Sequence, residues 1–585
     1  MDTTASPTHE TLPLRVGGFA SLADALDYAA GGPTGYNFHS GRGELYATLT
    51  YAGLRAAALE LARRLAGLGL ERGARVALVA DTNPDFIRFF FACQYAGLVP
   101  VPLSASLHLG SQRAYVAQLH QLLASCGAEA AMAPPTFLPY LGQAAEGLSL
   151  RFLGEPAAFD DLAASGSGLR ALGPTDTAFL QYTSGTTRFV RGVVVTQSAL
   201  MNNLTGILQV GLGIRPGDRA VSWLPYYHDM GFVGFVLAPM ASQTSVDYLS
   251  PTDFAKRPQQ WLALISASRA TIAFSPTFGY ELCARRLRRE DVDQLDLRSW
   301  RVAGVGAEMI RPEALEQFAD QFAPAGFDRR AFMACYGMAE CSLAVSFSPL
   351  DTGLRVDLID RRRLAESRVA LPVDDTPAHS EVGRFVNCGR PLPGFEVEVR
   401  DEEGRVLPAR RCGTVFVRGP SVSPGYFADP AATAEVLTPE GWLDTGDLGY
   451  HLDGNLVITG RRKDLLIING RNIWPQDLEF IAEQQPEVNS RAAAAFSVSG
   501  PGGEEMAAMV VQCRVADPAR RAALVERLQT AILQEIGIRC IIELVPPHTL
   551  ARTSSGKLSR AGARADFLKR LEGAAPAAVC SPPLR

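Results

Sequence analysis

The sequence has little of what marks several large classes of protein. Basic charge is not in excess, since the 585 residues carry a formal net charge of −5 at pH 7. This excludes a broad positive field, so we expect no nucleic-acid partner. The apolar run around residues 89–92 is interrupted by Arg88 and Gln94 and is too short to span a bilayer, so we expect no membrane span.

The cysteine spacing and the first ten residues exclude two further patterns from what we expect, a disulfide framework and a signal peptide. The 10 cysteines are scattered, with no CxxC pair and no histidine at a ligand-like spacing. This pattern argues against a disulfide framework or a zinc site and favours buried free thiols. Residues 1–10 have neither the basic nor the apolar region of a signal peptide. We therefore expect a cytoplasmic protein.

The length and the hydrophobic periodicity predict a protein with several subdomains. A chain of 585 residues is too long for one core. Residues 51–67 have helical spacing and residues 75–80 form a buried type of strand, which predicts α/β layers over a largely parallel sheet. Short strands at 396–399 and 413–417, separated by Gly and Asp turns, predict a β subdomain. The segment after Lys463 predicts a small α+β domain.

A loop of small hydroxyl residues follows the predicted strand at 178–181. It consists of Thr183, Ser184, Gly185, Thr186 and Thr187. Backbone N–H groups and hydroxyls in such a loop can approach phosphate oxygens closely. Taken alone, a run of this composition is more often an ordinary polar loop.

Five further motifs follow in the chain. Their notable residues are His228, Met230 and Gly231; Gly306, Ala307 and Glu308; Tyr336, Gly337, Met338 and Glu340; Asp447, Arg461 and Lys463; and, near the end, Lys557. Each residue has a plain structural alternative. A lone histidine is more often a satisfied structural residue, a tyrosine is often a core aromatic, and a carboxylate often caps a helix.

In this order the motifs resemble the adenylate-forming superfamily of acyl-CoA synthetases, adenylation domains and luciferases, over nearly the whole chain. The resemblance implies an α/β AMP-binding domain over residues 1–462, built from two layered sheets and a β subdomain. It also implies a small mobile α+β domain over 463–572 that rotates about a hinge at Lys463. We expect residues 573–585 to form a disordered tail.

The resemblance also implies a role for each motif. The residues from Thr183 to Thr187, with Arg188, would contact the phosphates of ATP. Gly306, Ala307 and Glu308 would line the adenine, and Tyr336 would stack on it beside Gly337 and Met338. Asp447 would accept hydrogen bonds from the ribose hydroxyls, and Arg461 would donate to the ribose or a phosphate. Glu340 and Thr183 would hold Mg²⁺, which prefers oxygen ligands.

The remaining implied roles concern the acid and the chemical step. His228, Met230 and Gly231 would lie beside the carboxylate and the acyl chain. Lys557 would stabilise the negative charge that develops when the carboxylate attacks the α-phosphorus.

Several features resemble the fatty acyl-AMP ligase branch. The string Gly-Arg-Asn-x-x-Pro-Gln-Asp occupies residues 470–477, and a long polar stretch covers about 350–382. In that branch an insertion near this position restrains the C-terminal domain and disfavours CoA thioesters. The stretch could equally be only a surface loop. Arg188 resembles this branch, but Val190 and Arg191 depart from the commonest superfamily pattern, in which Pro-Lys-Gly follows, and arginine is geometrically unlike lysine.

The implied reaction joins a fatty acid to MgATP, giving fatty acyl-adenylate and pyrophosphate. The acyl group would then pass to the phosphopantetheine thiol of a separate acyl carrier protein in polyketide or lipopeptide synthesis. Two alternatives stay open: an ordinary acyl-CoA synthetase, and a non-catalytic adenylate-binding scaffold, which the unusual phosphate loop motivates.

Lys557 gives the first testable prediction. Lys557→Ala should lower the rate of adenylation by about 10²–10³ and leave ATP affinity nearly unchanged, because only a transition-state contact is lost. Rates of pyrophosphate exchange and the Kd for ATP would be measured, with Lys569→Ala as the control outside the motifs. Equal weakening of binding and turnover would contradict this role.

Overall fold

The computed structural model describes residues 12–105, 112–182, 191–374, 382–468, 471–500, 504–553 and 558–573. It has the predicted α/β architecture, with a large amino-terminal part of several sheets and a smaller carboxyl-terminal domain. In these ranges, no helix combines the length and apolar character needed to cross a membrane.

The first part of the chain alternates helices and strands, as the periodicity predicted. Its elements are α1 Leu22–Ala29, β1 Gly35–His39, β2 Leu45–Thr50, α2 Tyr51–Gly67, β3 Arg75–Val79, α3 Pro84–Ala96, β4 Val99–Leu103, α4 Gln112–Cys126, β5 Ala128–Met132, α5 Leu138–Ala144, β6 Phe152–Gly154, α6 Pro156–Asp160, β7 Thr177–Tyr182 and β8 Gly192–Thr196. Local sequence explains where α3 begins and ends. The Asn83 side chain accepts a hydrogen bond from the Phe86 N–H, and Gly97 ends the helix at a φ of 75°.

The middle of the chain supplies most of the main sheet. Its elements are α7 Gln197–Gly206, β9 Arg219–Ser222, α8 Asp229–Phe232, α9 Ala238–Ala241, β10 Ser245–Leu249, α10 Pro251–Lys256, α11 Gln259–Ser268, β11 Ile272–Ser275, α12 Thr277–Arg286, α13 Arg289–Val292, β12 Val302–Val305, α14 Pro312–Phe322, β13 Phe332–Gly337 and β14 Ala344–Phe347. Ile207–Gly211 and Val233–Leu237 are π-helical turns. Beyond Ser222, the last residue of β9, the chain leaves the sheet and turns toward His228.

The β subdomain and the predicted insertion come next. The elements are β15 Val356–Asp360, α15 Arg361–Ser367, β16 Val382–Val386, β17 Arg390–Pro391, β18 Glu396–Arg400, β19 Gly413–Arg418, α16 Pro430–Val436, β20 Leu443–Leu452 and β21 Asn455–Arg461. Asp453 and Gly454 form the hairpin turn between β20 and β21, and both residues have positive φ angles. The polar stretch after Leu350 is more than a surface loop, since β15 pairs antiparallel with β16 and α15 follows β15.

Parallel strands dominate two of the sheets, one of nine strands and one of four. The nine-stranded sheet has the order β17-β14-β13-β12-β11-β9-β10-β1-β2, and its strands from β13 to β1 run parallel. The four-stranded sheet β4-β3-β5-β6 is wholly parallel. The strands β18 to β21 form an antiparallel sheet. The carboxyl ends of the parallel strands therefore meet along one edge, where ligands usually bind in such sheets.

The carboxyl-terminal domain has its own apolar cores. Its elements are β22 Leu466–Ile468, β23 Arg471–Ile473, α17 Pro475–Glu483, β24 Val488–Ser499, β25 Glu505–Cys513, α18 Pro518–Glu535, β26 Cys540–Val545 and α19 Arg560–Gly573. One cluster includes Leu478 and Leu528, and another includes Phe496 and Phe567; both contain residues of this domain alone. The exact boundary at Lys463 stays a prediction, and residues 574–585 lie outside the described ranges.

The cysteines are free, as the scattered spacing predicted. Nine of them fall in the described ranges, and all except Cys335 are buried. No disulfide therefore contributes to the stability of this part of the chain.

A buried glutamine pair gives a prediction about stability. Gln197, which is 0% exposed, accepts a hydrogen bond from the Leu22 N–H and donates one to Gln94 Oε1 at 2.6 Å. Gln197→Ala should lower the free energy of unfolding by about 1–3 kcal/mol for each group left unpaired. Urea denaturation would measure this, with Asn202→Ala as control, because Asn202 is on the same helix with an exposed hydrogen bond. A loss below about 0.5 kcal/mol would contradict the prediction.

Candidate active site

A cavity of about 930 Å³ lies at the carboxyl ends of the parallel strands. Its wall includes Asp229, which follows β9, Ala307, which follows β12, and Tyr336 near the end of β13. Side chains of the carboxyl-terminal domain, among them Arg491 and Arg560, also reach it. The volume suits a ligand of nucleotide or drug size.

Most of the described residues that the motifs predicted lie around this one cavity. Those that line it are His228, Met230, Ala307, Glu308, Tyr336, Gly337, Met338, Glu340, Asp447, Arg461 and Lys463. Gly231 and Gly306 are not among its lining residues. A Cβ at Gly231 would lie 2.3 Å from the Pro225 carbonyl oxygen, and one at Gly306 would lie 2.6 Å from Cys335 Sγ. These two glycines therefore permit close packing behind the wall.

Two predicted segments lie outside the described residues. They are the phosphate-loop residues Thr183, Ser184, Gly185, Thr186, Thr187 and Arg188, and the late lysine Lys557. The neighbouring described residues can be placed. Tyr182 and Arg191 line the cavity on either side of the first segment, and Thr553 and Leu558 line it on either side of the second.

Asp447 is a buried carboxylate that lines the cavity and accepts hydrogen bonds. It is only 5% exposed, and its Oδ2 accepts a hydrogen bond of 2.8 Å from the Tyr336 hydroxyl. Arg461 Nε lies 3.2 Å from Oδ1. Burial raises the pKa of Asp447, while the charge of Arg461 opposes that rise. Hydroxyl groups that donate to this carboxylate would offset the loss of hydration.

Glu340 is a second carboxylate in the same cavity. It lies in the short turn after β13, and its Oε1 accepts a hydrogen bond of 2.9 Å from the Tyr426 hydroxyl. Burial is the main cause that raises the pKa of Glu340, and the charge of Asp229 adds to it. A cation beside Glu340 would relieve both effects, so the side chain fits a hard divalent ion.

His228 is oriented by the residue that follows it. Its Nδ1 lies 2.7 Å from Asp229 Oδ1, and that oxygen also accepts a hydrogen bond of 2.7 Å from the Met230 N–H. Because His228 is the residue before α8, its ring is fixed at the start of a helix that lines the cavity. The ring is thus held where a carboxylate group could meet it.

Arg191 is linked to Glu340 through a residue that the sequence analysis missed. The Arg191 guanidinium pairs with Glu435 at 3.0 Å and lies over the ring of Tyr426, 5.2 Å from its centroid. Tyr426 in turn donates to Glu340. A single aromatic residue in a loop carries no motif, so no signal in the sequence singled out Tyr426.

The cavity continues into an apolar tunnel between the main sheet and two π-helical turns. The tunnel residues are Ile207, Leu208, Leu212, Ile214, Ala220, Gly234, Phe235, Ala238, Ile272, Phe274, Leu343 and Phe347. π-Helical turns often occur at functional sites, and both of these turns face the tunnel. Such a wall suits an aliphatic chain.

Ion pairs across the cavity rim join the two parts of the protein. Arg311 pairs with Glu483 at 3.1 Å and donates to Ser490 at 2.9 Å. Arg491 pairs with Glu308 at 3.3 Å and lies over the Phe278 ring. No sequence motif indicated Arg311 or Arg491, because their partners are far away along the chain.

Comparison with known proteins gives a consistent family. The AMP-binding enzyme family matches residues 32–427. A Caulobacter vibrioides protein that carries the provisional name acyl-CoA synthetase is 46% identical over 565 residues, which cover 96% of this chain and 98% of that protein. The medium-chain fatty acid:acyl-carrier-protein ligase JamA of Moorena producens is 31% identical, over 94% of this chain and 95% of its own length.

Among solved structures, one from a study of fatty acyl-adenylate ligases of E. coli and L. pneumophila is 47% identical to this chain. The two superpose with a TM-score of 0.91, over 96% of this chain and 100% of that one.

Glu483 at the rim generates a pH prediction. Burial raises its pKa to about 7, although Arg311 opposes the rise and Glu479 and Glu281 add to it. Protonated Glu483 favours the docked form. Its stabilising effect is therefore complete below its ordinary pKa, near 4.5, and is lost as the pH rises through 7. Docking of the carboxyl-terminal domain should therefore weaken between pH 5 and 8, on the order of 1–3 kcal/mol.

Glu483→Gln should remove this pH dependence, since glutamine does not titrate. Small-angle X-ray scattering across that pH range would follow separation of the two parts. Glu487→Gln is the control, because Glu487 pairs with Arg527 inside the carboxyl-terminal domain. An unchanged pH profile in Glu483→Gln would refute the assignment.

Proposed function

The chain belongs to the family of AMP-binding enzymes and to its fatty acyl-AMP ligase branch, and from this premise we propose how its own residues act. The enzyme activates a fatty acid with ATP, forming fatty acyl-adenylate and releasing pyrophosphate. It then passes the acyl group to the phosphopantetheine thiol of a separate acyl carrier protein serving polyketide or lipopeptide synthesis. One observation carries this proposal: a polar region with Asp447 and Glu340 and an apolar tunnel with Phe274 line the same cavity.

The polar region binds the nucleotide. The adenine stacks on Tyr336 beside Gly337 and Met338, while Ala307 and Glu308 line its edge. The ribose hydroxyls donate to Asp447, which already accepts from Tyr336 and faces Arg461. The phosphates extend toward Arg191 and the loop from Thr183 to Arg188.

Mg²⁺ fits beside Glu340, whose carboxylate is buried with only partial relief from its hydrogen bond to Tyr426. Thr183 would be a further oxygen ligand. When bound, the ion would neutralise phosphate charge. Tyr426 holds the Glu340 carboxylate in one orientation and so keeps an oxygen directed into the cavity.

In the chemical step, a carboxylate oxygen of the fatty acid attacks the α-phosphorus of ATP. The new O–P bond forms as the bond from the α-phosphorus to its bridging oxygen breaks, and pyrophosphate leaves. His228, oriented by Asp229, lies beside the acid, and Met230 contacts the start of the acyl chain. Lys557 supplies positive charge to the developing anion.

The hinge assignment rests on the position of Lys463. It lies in the short turn that follows β21 and lines the cavity, and burial together with the neighbouring Arg461 charge lowers its pKa. The turn joins the two parts of the chain, so a change in its backbone angles would reorient the carboxyl-terminal domain.

Contacts of the insertion support the acyl-AMP product over the CoA thioester. Arg361 lies 3.5 Å from Asp477 of the carboxyl-terminal domain, and Asn472 Nδ2 donates to the Ala365 carbonyl. Trp474 packs in a cluster with Ile359 and neighbouring apolar residues. These contacts would restrain the domain rotation that thioester formation with CoA requires.

The test is a mass-spectrometric assay of the purified protein with Mg²⁺, ATP and short-, medium- and long-chain fatty acids. It would be run alone, with CoA, and with a holo acyl carrier protein. Acyl-AMP should accumulate in the presence of CoA and be consumed by the carrier. Asp447→Ala should abolish the product, because the ribose loses its acceptor.

Two other outcomes would overturn the proposal. Release of acyl-CoA would make the protein an acyl-CoA synthetase, the function that the name of the Caulobacter relative favours. Binding of ATP without pyrophosphate exchange for any acid would indicate a non-catalytic scaffold.

A further inference from the structure

Phe274 projects into the apolar tunnel from the middle of the main sheet. It lies on β11, its Cα pairs with that of Gly304 on β12, and it is 7% exposed. A Cβ built on Gly304 would lie 2.1 Å from Cε1 and 2.3 Å from Cζ of the Phe274 ring. The ring therefore occupies the space that a side chain at position 304 would need.

Strand direction places Phe274 partway down the tunnel. The polar region lies at the carboxyl ends of β11 and β12, so an acyl chain runs from there toward the amino ends. Ile272 precedes Phe274 by two positions, faces the same side of the sheet and also lines the cavity. Ala220, which pairs with Ile272 from the neighbouring strand β9, also lines the cavity. The tunnel thus extends roughly 7 Å beyond Phe274, at about 3.3 Å per strand residue.

The aromatic neighbour of Phe274 in the tunnel wall is firmly held. The ring of Phe235, on the second π-helical turn, packs against Phe274 with centroids 5.7 Å apart. The carbonyls of Phe235 and Val236 accept hydrogen bonds from the buried hydroxyls of Tyr248 and Tyr36. Because this turn is anchored, the width of the tunnel at the depth of Phe274, which we call the passage, changes most readily through movement of the Phe274 ring.

We propose that Phe274, resting on Gly304, determines which chain lengths the enzyme accepts. This inference rests on the proposed function. The Phe274 ring can lie over Gly304 of β12 only because position 304 has no side chain. A methyl group there displaces the ring into the passage. The natural substrates are then acids whose aliphatic chain extends past Phe274 to Ile272, and the deeper tunnel is reached only through this passage.

The experiment compares kcat/KM for acyl-AMP formation over a series of straight-chain acids. Gly304→Ala should lower kcat/KM for the longest acids by about 10-fold or more relative to the shortest, since small volume changes in an apolar pocket discriminate by that amount. Phe274→Ala should shift the preference toward longer acids. The double variant Gly304→Ala/Phe274→Ala should recover the long acids, because the displaced ring is gone.

Two further variants keep the test decisive. Phe274→Trp narrows the passage without altering β12, so it should reproduce the loss of long acids even if Gly304→Ala does not fold. Gly142→Ala, on α5, is the matched control, because an added Cβ there has nothing within 4 Å. An identical chain-length profile in wild type, Phe274→Ala and Phe274→Trp would overturn this inference. If wild type makes no acyl-AMP from any acid, the proposed function itself fails.

Discussion

Polar contacts between ionisable side chains hold the carboxyl-terminal domain against the rest of the protein, and the other features of the site depend on this arrangement. Arg311 with Glu483 and Arg491 with Glu308 cross the rim, while the apolar clusters around Leu478 and Phe496 stay inside the small domain. Buried charges are stable only when paired, yet a charged interface can separate without exposing a core to water. In the described ranges, the apolar cluster that does cross contains Trp474 and involves the insertion. This arrangement is compatible with the proposed rotation of the domain, and the contacts of the insertion would limit its range.

The proposed nucleotide site contains two buried carboxylates whose loss of hydration the protein offsets only in part. Burial raises the pKa of both Asp447 and Glu340, and each has one tyrosine hydroxyl as a donor. Hydroxyl donors of a bound ribose, or coordination to a divalent cation, would offset the rest of that loss. The strand ends position the other side chains: Tyr336 lies near the end of β13, and Ala307 follows the neighbouring strand β12 of the same sheet. In the proposed site, binding would thus favour ligands that offset the desolvation of Asp447 and Glu340.

The sequence was sufficient for the fold class and for locating most described site residues in one cavity. Periodicity predicted α2 to the residue, because helical spacing is a local property of the sequence. Contacts between distant positions were not predictable. Tyr426 reaches Glu340 across 86 positions and Arg311 reaches Glu483 across 172, and no local pattern encodes either pairing. The structure of the insertion was missed for the same reason, since β15 finds its partner only after α15 and the segment that follows it.

Glycines at the two ends of the cavity differ in the atoms that they approach. This difference explains how one fold can keep its proposed nucleotide site while the acid that it accepts changes. Near the nucleotide, a Cβ on Gly337 would lie 1.9 Å from the Leu343 carbonyl oxygen, so a larger residue there has to displace backbone. In the tunnel, the three atoms nearest a Cβ on Gly304 all belong to the ring of Phe274. Moving a side chain costs far less than moving a strand, because the ring can change rotamer. Substitutions can therefore accumulate around Phe274 and alter the shape of the tunnel, whereas the backbone around Gly337 has to stay as it is.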